Sequence, residues 1–274
     1  MAASARVRVR FLGTGGAANE CRRQASLLVE PLAGEGGPLL LDTGNGLDTV
    51  RQLLALGQDP SRVRDIFISH RHIDHLGGLE PTLLWSAIQS LRRSGQRPTE
   101  QTRVYAEPGV IAAIQQLFQA IATVVPKLYG EQLVWVPLHD GAPVELPNGG
   151  RLTPFLVEHI PPDAGAMGCL VELDGVRLGY SGDTRPVRRL LDICTGVPTL
   201  FHEAGGLDSD ADFIHIQGHS TAGDAGRVAR AAGVQRLILT HLPDDGLASA
   251  MLAEASAAFG GPVELATDHE MVEL

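Results

Sequence analysis

The stretch His70–His75, with the sequence HRHIDH, is the most informative part of this chain. It carries three imidazoles and one carboxylate directly after the apolar run Ile66–Ile68, where a buried strand is expected. Alternate side chains of an extended segment point the same way, so His70, His72 and Asp74 can converge. Imidazole nitrogens and carboxylate oxygens suit zinc, iron or manganese, whereas calcium and magnesium sites are built from oxygen. The stretch therefore predicts a metal site.

Further ligands are expected at other strand ends, because four ligands on one loop rarely complete a hydrolytic metal site. His159 follows the strand-like run Phe155–Glu158, and His241 follows the run Leu237–Thr240. Asp183 follows a strand and a glycine, which permits a tight turn and a close approach to a metal. Each of these three could be an ordinary turn or surface residue when taken alone. Together with the first stretch, they predict one shared site.

The composition is that of an ordinary globular enzyme, with 44% apolar and 20% charged residues. The 274 residues could form one large domain or two small ones. No low-complexity tract or long linker divides them, so we expect a single domain over residues 1–274. The net charge of −10 argues against a generally basic surface for nucleic acid, although a local basic patch stays open.

Cysteine usage and hydropathy indicate the cellular compartment in which the protein is expected. The three cysteines are widely spaced and odd in number, which argues against a disulfide framework and favours the cytoplasm. No window approaches the roughly 18 uninterrupted apolar residues of a membrane span, so we expect no membrane association. Arginines alternate with apolar residues over positions 6–11, which predicts a first strand with one wet face rather than a signal peptide.

Strand-like and helical patterns alternate along the chain, which predicts an α/β fold with buried sheets covered by helices. The strand-like runs are Leu39–Leu41, Ile66–Ile68, Leu133–Val136, Leu170–Leu173 and Leu237–Leu239, and the helical patterns include Val50–Leu56 and Val110–Ala122. The two halves of the chain also share a faint repeat: an apolar strand leads to Asp42 or Asp183, and a helix then precedes a strand that ends at His70 or His241. A pseudo-two-fold arrangement would bring these strand ends together over one metal site.

The order of these residues resembles the five sequence motifs of the metallo-β-lactamase superfamily, beginning with Asp42. The resemblance spans about residues 7–245. It implies a four-layer αβ/βα sandwich with two divalent metal ions at one edge of two sheets, zinc first, with manganese or iron as the other candidates. Asp42 would orient the ligands by hydrogen bonds without touching metal. The implied ligands are His70, His72 and His159 for one ion and Asp74, His75 and His241 for the other, with Asp183 bridging the two.

Two further motifs narrow the resemblance. An aspartate at the bridging position, where the main antibiotic-degrading branch has cysteine, points away from that branch. Phe201–Ala204 (FHEA) and Gly218–Thr221 (GHST) resemble the His-Glu-Ala and His-Ser-Thr signatures of the ribonuclease Z and phosphodiesterase branch, which often forms homodimers. That resemblance makes His219 catalytic, with Glu203 as its carboxylate partner. In the alternative, His219 is only a polar residue at a helix start, with Ser220 or Thr221 as the cap.

The chain also departs from ribonuclease Z, which carries a long tRNA-clamping arm, usually between the third and fourth motifs. Only two strands and short turns fit between His159 and Asp183, so we expect no arm there. Arms at other positions occur in the superfamily, so RNA stays an open but not a favoured substrate. The segment between His75 and His159, including Leu83–Arg93 and Val124–Gly130, is expected to form the pocket rim and to select the substrate.

Several functions could use these ligands. In the favoured hypothesis, two metal ions activate a water that attacks a small-molecule or nucleotide phosphodiester. Asp74 would hold that water and act as base, and His219, positioned by Glu203, would assist the leaving group. In the second hypothesis the substrate is a lactone, thioester or other acyl compound, and His219 matters little. A di-iron redox protein and a non-catalytic binding protein are the remaining alternatives.

Overall fold

Two seven-stranded sheets form the centre of the protein. The computed structural model describes residues 5–33, 36–159 and 165–274. The strands in these ranges are β1 (Val7–Gly13), β2 (Ser26–Pro31), β3 (Leu39–Leu41), β4 (Asp65–Phe67), β5 (Thr102–Ala106), β6 (Leu133–Pro137), β7 (Val144–Glu145), β8 (Arg151–Leu156), β9 (Met167–Leu173), β10 (Val176–Tyr180), β11 (Thr199–Glu203), β12 (Arg236–Thr240), β13 (Val263–Leu265) and β14 (Met271–Glu273). The α-helices are α1 (Asp48–Ala55), α2 (Ile73–Leu76), α3 (Leu79–Ser94), α4 (Pro108–Ala120), α5 (Val124–Tyr129), α6 (Arg188–Cys194), α7 (Ala211–Ile216), α8 (Ala222–Ala232) and α9 (Ala248–Phe259).

The strand order places the ends of parallel strands at one edge of each sheet. The first sheet runs β14-β1-β2-β3-β4-β5-β6 and the second runs β13-β12-β11-β10-β9-β8-β7. Strands β3 to β6 are parallel in the first sheet, and β10 to β13 are parallel in the second. The remaining neighbours pair antiparallel. Because parallel strands share a direction, the residues directly after them gather at the same edge.

The apolar residues of β3 show how the layers pack. One face of each sheet contacts helices, and the other face contacts the other sheet. Successive side chains of a strand point to opposite faces, so Leu39 and Leu41 face one way and Leu40 the other. Leu39 and Leu41 join a core cluster with residues from the second sheet, such as Phe201. Leu40 joins a cluster with α3 and α4, including Leu83. A third cluster packs the other sheet against its own helices. The predicted four-layer αβ/βα sandwich is confirmed.

The sequence patterns agree with most of these elements and fail in two details. The strand predicted at Ile66–Ile68 is displaced by one residue, since β4 ends at Phe67. Ile68 nevertheless donates its backbone N–H to the carbonyl oxygen of Tyr105 at 2.9 Å. The predicted repeat holds only for the strand ends: β3 and β4 are neighbours, but β11 lies between β10 and β12.

None of the described helices is by itself long and apolar enough to cross a membrane. One bent pair, Pro108–Ala120 with Val124–Gln132, has the length and composition, with an angle of 96° between its parts.

Candidate metal centre

The candidate ligands lie where strands of both sheets end. His70, His159 and Asp183 each stand three residues beyond the end of a strand, namely β4, β8 and β10. His241 directly follows β12 and has a φ of 55°, a left-handed conformation that turns the chain sharply at the strand end. The loop after β4 also leads into the short helix α2, which carries Asp74 and His75. Both sheets therefore contribute ligands at a shared edge.

The candidate ligands form two groups that meet at Asp183. One nitrogen atom from each of His70, His72 and His159 lies within 4.8 Å of the other two. Ligand atoms of Asp74, His75, Asp183 and His241 satisfy the same limit in the second group. The Oδ2 atom of Asp183 lies 3.2 Å from His75 Nε2, 3.3 Å from His241 Nε2, 3.7 Å from His159 Nε2 and 3.8 Å from His70 Nε2. The structure brings together all seven residues predicted as ligands, whereas their roles stay predictions.

Unsatisfied ring nitrogens show that the site fits metal ions. The Nε2 atom of His70 is buried and has no hydrogen-bond partner, and His75 Nε2, also buried, makes no well-directed hydrogen bond although Asp183 Oδ2 lies 3.2 Å away. Their other nitrogens are occupied, because His70 Nδ1 lies 3.0 Å from Ser69 Oγ and His75 Nδ1 lies 2.8 Å from Asp42 Oδ2. A buried polar atom without a partner costs about 1–3 kcal/mol, so these nitrogens require a further ligand. Five imidazoles and two carboxylates are a donor set suited to zinc, manganese or iron.

The electrostatics of the cluster also favour cations. Burial would raise the pKa of Asp183, but His241 and His75 hold it well below its ordinary value, so the carboxylate is ionised. Burial lowers the pKa of His70 well below its ordinary value, which keeps its ring neutral and able to bind metal. Burial would also lower the pKa of His75, but Asp183 and Asp42 raise it well above its ordinary value. The carboxylates thus stabilise a positive charge at His75, whether carried by a proton or by a metal ion.

Asp42 fixes the loop that begins at Ser69 and carries the first candidate ligands, through hydrogen bonds. Its Oδ1 accepts the backbone N–H of Ser69 at 2.7 Å, and its Oδ2 accepts the hydroxyls of Ser69 and Tyr180, both at 2.7 Å. Together with His75 Nδ1, these contacts occupy the whole carboxylate. Asp42 itself directly follows β3 and has a φ of 57°, in the left-handed region. The sequence predicted the position of Asp42 but missed Ser69 and Tyr180; the only signals were a serine next to His70 and an aromatic residue at a strand end.

Tyr180→Phe should weaken metal binding about 10–100-fold, since changes behind the ligands typically have effects of this size. It should also lower the free energy of unfolding by about 1–3 kcal/mol, because the buried Asp42 carboxylate loses a donor. Competition titration with a chromogenic chelator and urea denaturation would measure the two effects. Tyr129→Phe is a matched control, because the Tyr129 hydroxyl donates at 3.2 Å to Leu83 O, outside the site. Equal metal affinity in both variants would contradict the role of Tyr180.

His219 and Glu203 form a pair beside the candidate ligands. His219 Nδ1 lies 3.0 Å from Glu203 Oε1, which also accepts the backbone N–H groups of Thr184 at 2.8 Å and Ser220 at 3.2 Å. The His219 ring centre is 4.9 Å from that of His159. Burial would lower the pKa of His219, but the Glu203 carboxylate raises it to about 9. The Glu203 carboxylate therefore favours a proton on the ring.

The alternative interpretation of this segment is partly correct. Thr221 caps α8, since its hydroxyl accepts the backbone N–H of Asp224 and the Asp224 side chain accepts the N–H of Thr221. His219 stands two residues before this cap and faces the cavity instead. His215 does not line the cavity; its Nε2 atom contacts Asp224 Oδ2 at 2.6 Å. The cap therefore fixes the loop that presents His219.

A cavity of about 460 Å³ opens over the candidate ligands. Its floor includes His72, Asp74, His159, Asp183, His219 and His241, and its walls are Gly16, Ala17, Ala18, Gly205, Gln217 and Pro243. The prediction that Leu83–Arg93 and Val124–Gly130 form the rim is wrong, because no lining residue in the described part of the chain comes from them. Buried side chains of α3 and α5, such as Leu83 and Val125, pack instead on the outer face of the first sheet.

Residues 38–242 match the family model of the beta-lactamase superfamily domain, and the chain belongs to this superfamily. It is similar to ribonuclease Z from Methanothermobacter thermautotrophicus, with 29% identity over 97% of this chain and 96% of the relative. Ribonuclease Z from Brevibacillus brevis is 30% identical over 92% of each chain. The crystal structure of the metallo-beta-lactamase fold protein YhfI from Bacillus subtilis superposes with a TM-score of 0.80, at 19% identity over 98% of this chain and 100% of that one. The chain is therefore a metallo-β-lactamase-fold hydrolase related to ribonuclease Z, with a buried His/Asp cluster suited to metal.

Proposed function

We propose that this protein is a metal-dependent phosphodiesterase that acts on small phosphodiesters. The observation that carries the proposal is the His219–Glu203 pair, which faces the same cavity as the candidate ligands. A protonated imidazole beside a metal cluster serves phosphodiester cleavage, because the alkoxide that leaves phosphorus needs a proton. A thioester needs no such donor beside the metals, since its thiolate leaves without a proton and a metal ion can stabilise the carbonyl oxygen.

The proposed ligands would hold two divalent ions, with zinc as the first candidate. His70, His72 and His159 would hold one ion, Asp74, His75 and His241 would hold the other, and Asp183 would serve both. Ions at these positions would activate a water molecule for attack and neutralise charge on the phosphoryl oxygens.

Asp74 would act on the attacking water, and His219 would act on the leaving group. Burial would raise the pKa of Asp74, but a hydrogen bond with His241 lowers it to about 2, so its carboxylate is ionised. Asp74 lines the cavity, and its ionised carboxylate can therefore orient the attacking water as a hydrogen-bond acceptor. His219 uses Nδ1 to bind Glu203, which leaves Nε2 to donate to a phosphoryl oxygen or to the leaving alkoxide.

Small substrates are favoured over tRNA by the chain between His159 and Asp183. There β9 and β10 form an antiparallel hairpin whose turn is only Asp174 and Gly175. The alignment with the Methanothermobacter ribonuclease Z extends over 319 positions, more than the 274 residues of this chain, so that relative has insertions that this chain lacks. The net charge of −10 also disfavours a large polyanion as substrate.

Hydrolysis of bis(p-nitrophenyl) phosphate by the purified protein, with its metal content measured, tests the proposal. We expect about two zinc or manganese ions per chain and turnover of the diester, with little cleavage of lactones or thioesters at the same concentration. Preferential cleavage of a lactone or thioester would overturn the proposal in favour of acyl hydrolysis. Two irons without hydrolysis would overturn it in favour of a redox protein.

A further inference from the structure

The turn that follows α7 places two groups beside the candidate metal centre. Gly218 ends the helix with a φ of 83°, in the left-handed region. Its backbone N–H donates to His215 O at 3.0 Å, and the backbone N–H of His219 donates to Ile214 O at 3.1 Å. These two bonds form the Schellman motif that ends many helices. One compact turn therefore positions both the Gly218 carbonyl group and the backbone of His219.

The carbonyl oxygen of Gly218 contacts a candidate metal ligand. It lies 2.8 Å from His159 Nδ1, and the other ring nitrogen, Nε2, lies 3.7 Å from Asp183 Oδ2 within the cluster. A ring that binds metal through one nitrogen usually donates its other N–H to a carbonyl or carboxylate group, which fixes the orientation of the ring. The next residue, His219, is the proposed acid, 3.0 Å from Glu203. The turn therefore supports a proposed ligand and carries the proposed acid.

Arg185 binds the carbonyl end of α7. Its Nε donates to the backbone carbonyl oxygen of His215, and its Nη2 donates to that of Ile216 at 3.3 Å. The last carbonyl groups of a helix have no donor in a following helical turn, so a guanidinium group can bind them there. The guanidinium group is planar and rigid, so it holds both carbonyl groups in one geometry, which the single ammonium group of lysine does not. Arg185 therefore fixes the end of the helix from which the turn starts.

The backbone of Arg185 is itself bonded to the candidate metal centre. Its N–H donates at 2.8 Å to the carbonyl oxygen of Glu158, the residue before a candidate ligand. Arg185 also stands two positions after Asp183, the candidate bridging ligand. The carbonyl oxygen of Thr184 accepts the hydroxyl of Ser220 at 2.7 Å, so the same segment is also bonded to the chain beyond the turn. Both sides of the turn are therefore bonded to the segment that carries a candidate ligand.

We infer that Arg185 is a positioning residue that fixes the turn after α7 and thereby orients two groups at once. One group is the ligand His159, which the turn contacts through the Gly218 carbonyl, and the other is the acid His219. Arg185 is absent from the described lining of the cavity, so it acts through the turn and not on the reacting atoms. The part of the inference that concerns His219 rests on the proposed function, whereas the part that concerns His159 requires only metal binding.

Arg185→Gln tests the part that concerns metal binding. Metal affinity should fall about tenfold, the lower end of the usual range for groups behind ligands, because Ser220 still holds the far side of the turn. Competition with a chromogenic chelator measures the affinity, and the visible absorption of the cobalt-substituted protein should change as His159 loses its orientation. An arginine that only stabilised the fold would lower the free energy of unfolding and leave the cobalt spectrum unchanged. If the glutamine variant fails to fold, Arg185→Lys, which keeps the charge but loses the two-point contact, replaces it.

The same substitution in two backgrounds tests the part that concerns the acid. With saturating metal, Arg185→Gln should lower kcat for a dinucleoside monophosphate about tenfold and leave KM nearly unchanged, because a displaced acid slows the chemical step. In the His219→Ala protein the same substitution should have a much smaller effect on kcat, since the group that it misplaces is already absent. An equal loss of kcat in both backgrounds would overturn the link between Arg185 and His219.

Arg188→Gln is the matched control for both tests. Arg188 lies on α6, its side chain is 86% exposed, and its Nε contacts Asp192 Oδ1 at 3.3 Å. This variant should keep the metal affinity, the cobalt spectrum and kcat of the unaltered protein. Equal metal affinities and cobalt spectra for Arg185→Gln and Arg188→Gln would overturn the inference. If the unaltered protein hydrolyses no phosphodiester, the proposed function fails, and the metal titration and the cobalt spectrum alone decide the inference.

Discussion

Replacing His219 with alanine should lower kcat for a phosphodiester by about 10²–10⁴, the usual contribution of a positioned acid. The variant loses the imidazole that Glu203 orients at 3.0 Å and whose pKa it raises beside the cavity. Metal content and folding should change little, because His219 lies on a loop with 19% of its side chain exposed and belongs to neither proposed ligand group. Steady-state kinetics with a dinucleoside monophosphate, whose leaving group is an alkoxide, together with elemental analysis, would measure these effects.

His215→Ala is the control for this variant, since His215 lies four residues earlier and contacts Asp224 instead of lining the cavity. We expect it to retain activity within a few-fold of the unaltered protein. Glu203→Gln should fall between the two variants, because an amide keeps an acceptor for the backbone N–H groups of Thr184 and Ser220 but loses the charge that raises the pKa of His219. Full phosphodiesterase activity in His219→Ala would refute the assignment of this residue as the acid.

Removal of the metal ions should abolish turnover and lower the free energy of unfolding. The expected loss is about 4 kcal/mol per site, relative to protein with free metal at roughly 1,000 times its Kd. Without metal, His70 Nε2 and His75 Nε2 stay buried without partners, and the Asp74 and Asp183 carboxylates lose the charge that offsets them. Urea denaturation of chelator-treated protein, before and after addition of zinc or manganese, would measure this loss.

Asp183→Asn provides the comparison for metal removal, because its carboxylate lies between the two proposed ligand groups. The variant should gain much less stability from added metal than the unaltered protein. The metal that restores turnover identifies the working ion. Unchanged stability and full activity after complete removal of metal would contradict the whole assignment of the site.

The sequence predicts the candidate ligands well because five of the seven lie in loops that follow strands, and the other two, Asp74 and His75, lie in the short helix after β4. Apolar runs identify β4, β10 and β12, and parallel strands necessarily deliver the residues after their carboxyl ends to one edge of a sheet. This predicts that Asp183 and His241 share one edge of a sheet, and the order of the motifs, which resembles that of the superfamily, adds His70 to them. The start of helix α8 can also be predicted from the sequence, since Thr221 and Asp224 stand at the spacing of a capping box.

The walls of the cavity could not be predicted in the same way. Ala17 and Ala18 carry no chemical signal, and only the packing of their loop next to β12 makes them part of the site. The hydroxyl of Tyr180 meets Asp42 across 138 positions of sequence, so no local pattern reports that contact. The rim was wrongly predicted on α3 and α5 because their apolar faces are needed to cover the first sheet.

The division of candidate ligands between two sheets has a consequence for how the protein unfolds. His70 to His75 belong to the half of the chain that builds most of the first sheet, whereas His159, Asp183 and His241 belong to the half that builds the second. Ions bound by both sets would link the two layers, since neither layer could unfold without losing metal ligands. The metal-bound protein should then unfold both halves in one cooperative transition. In the metal-free protein, one half can unfold while the other stays folded.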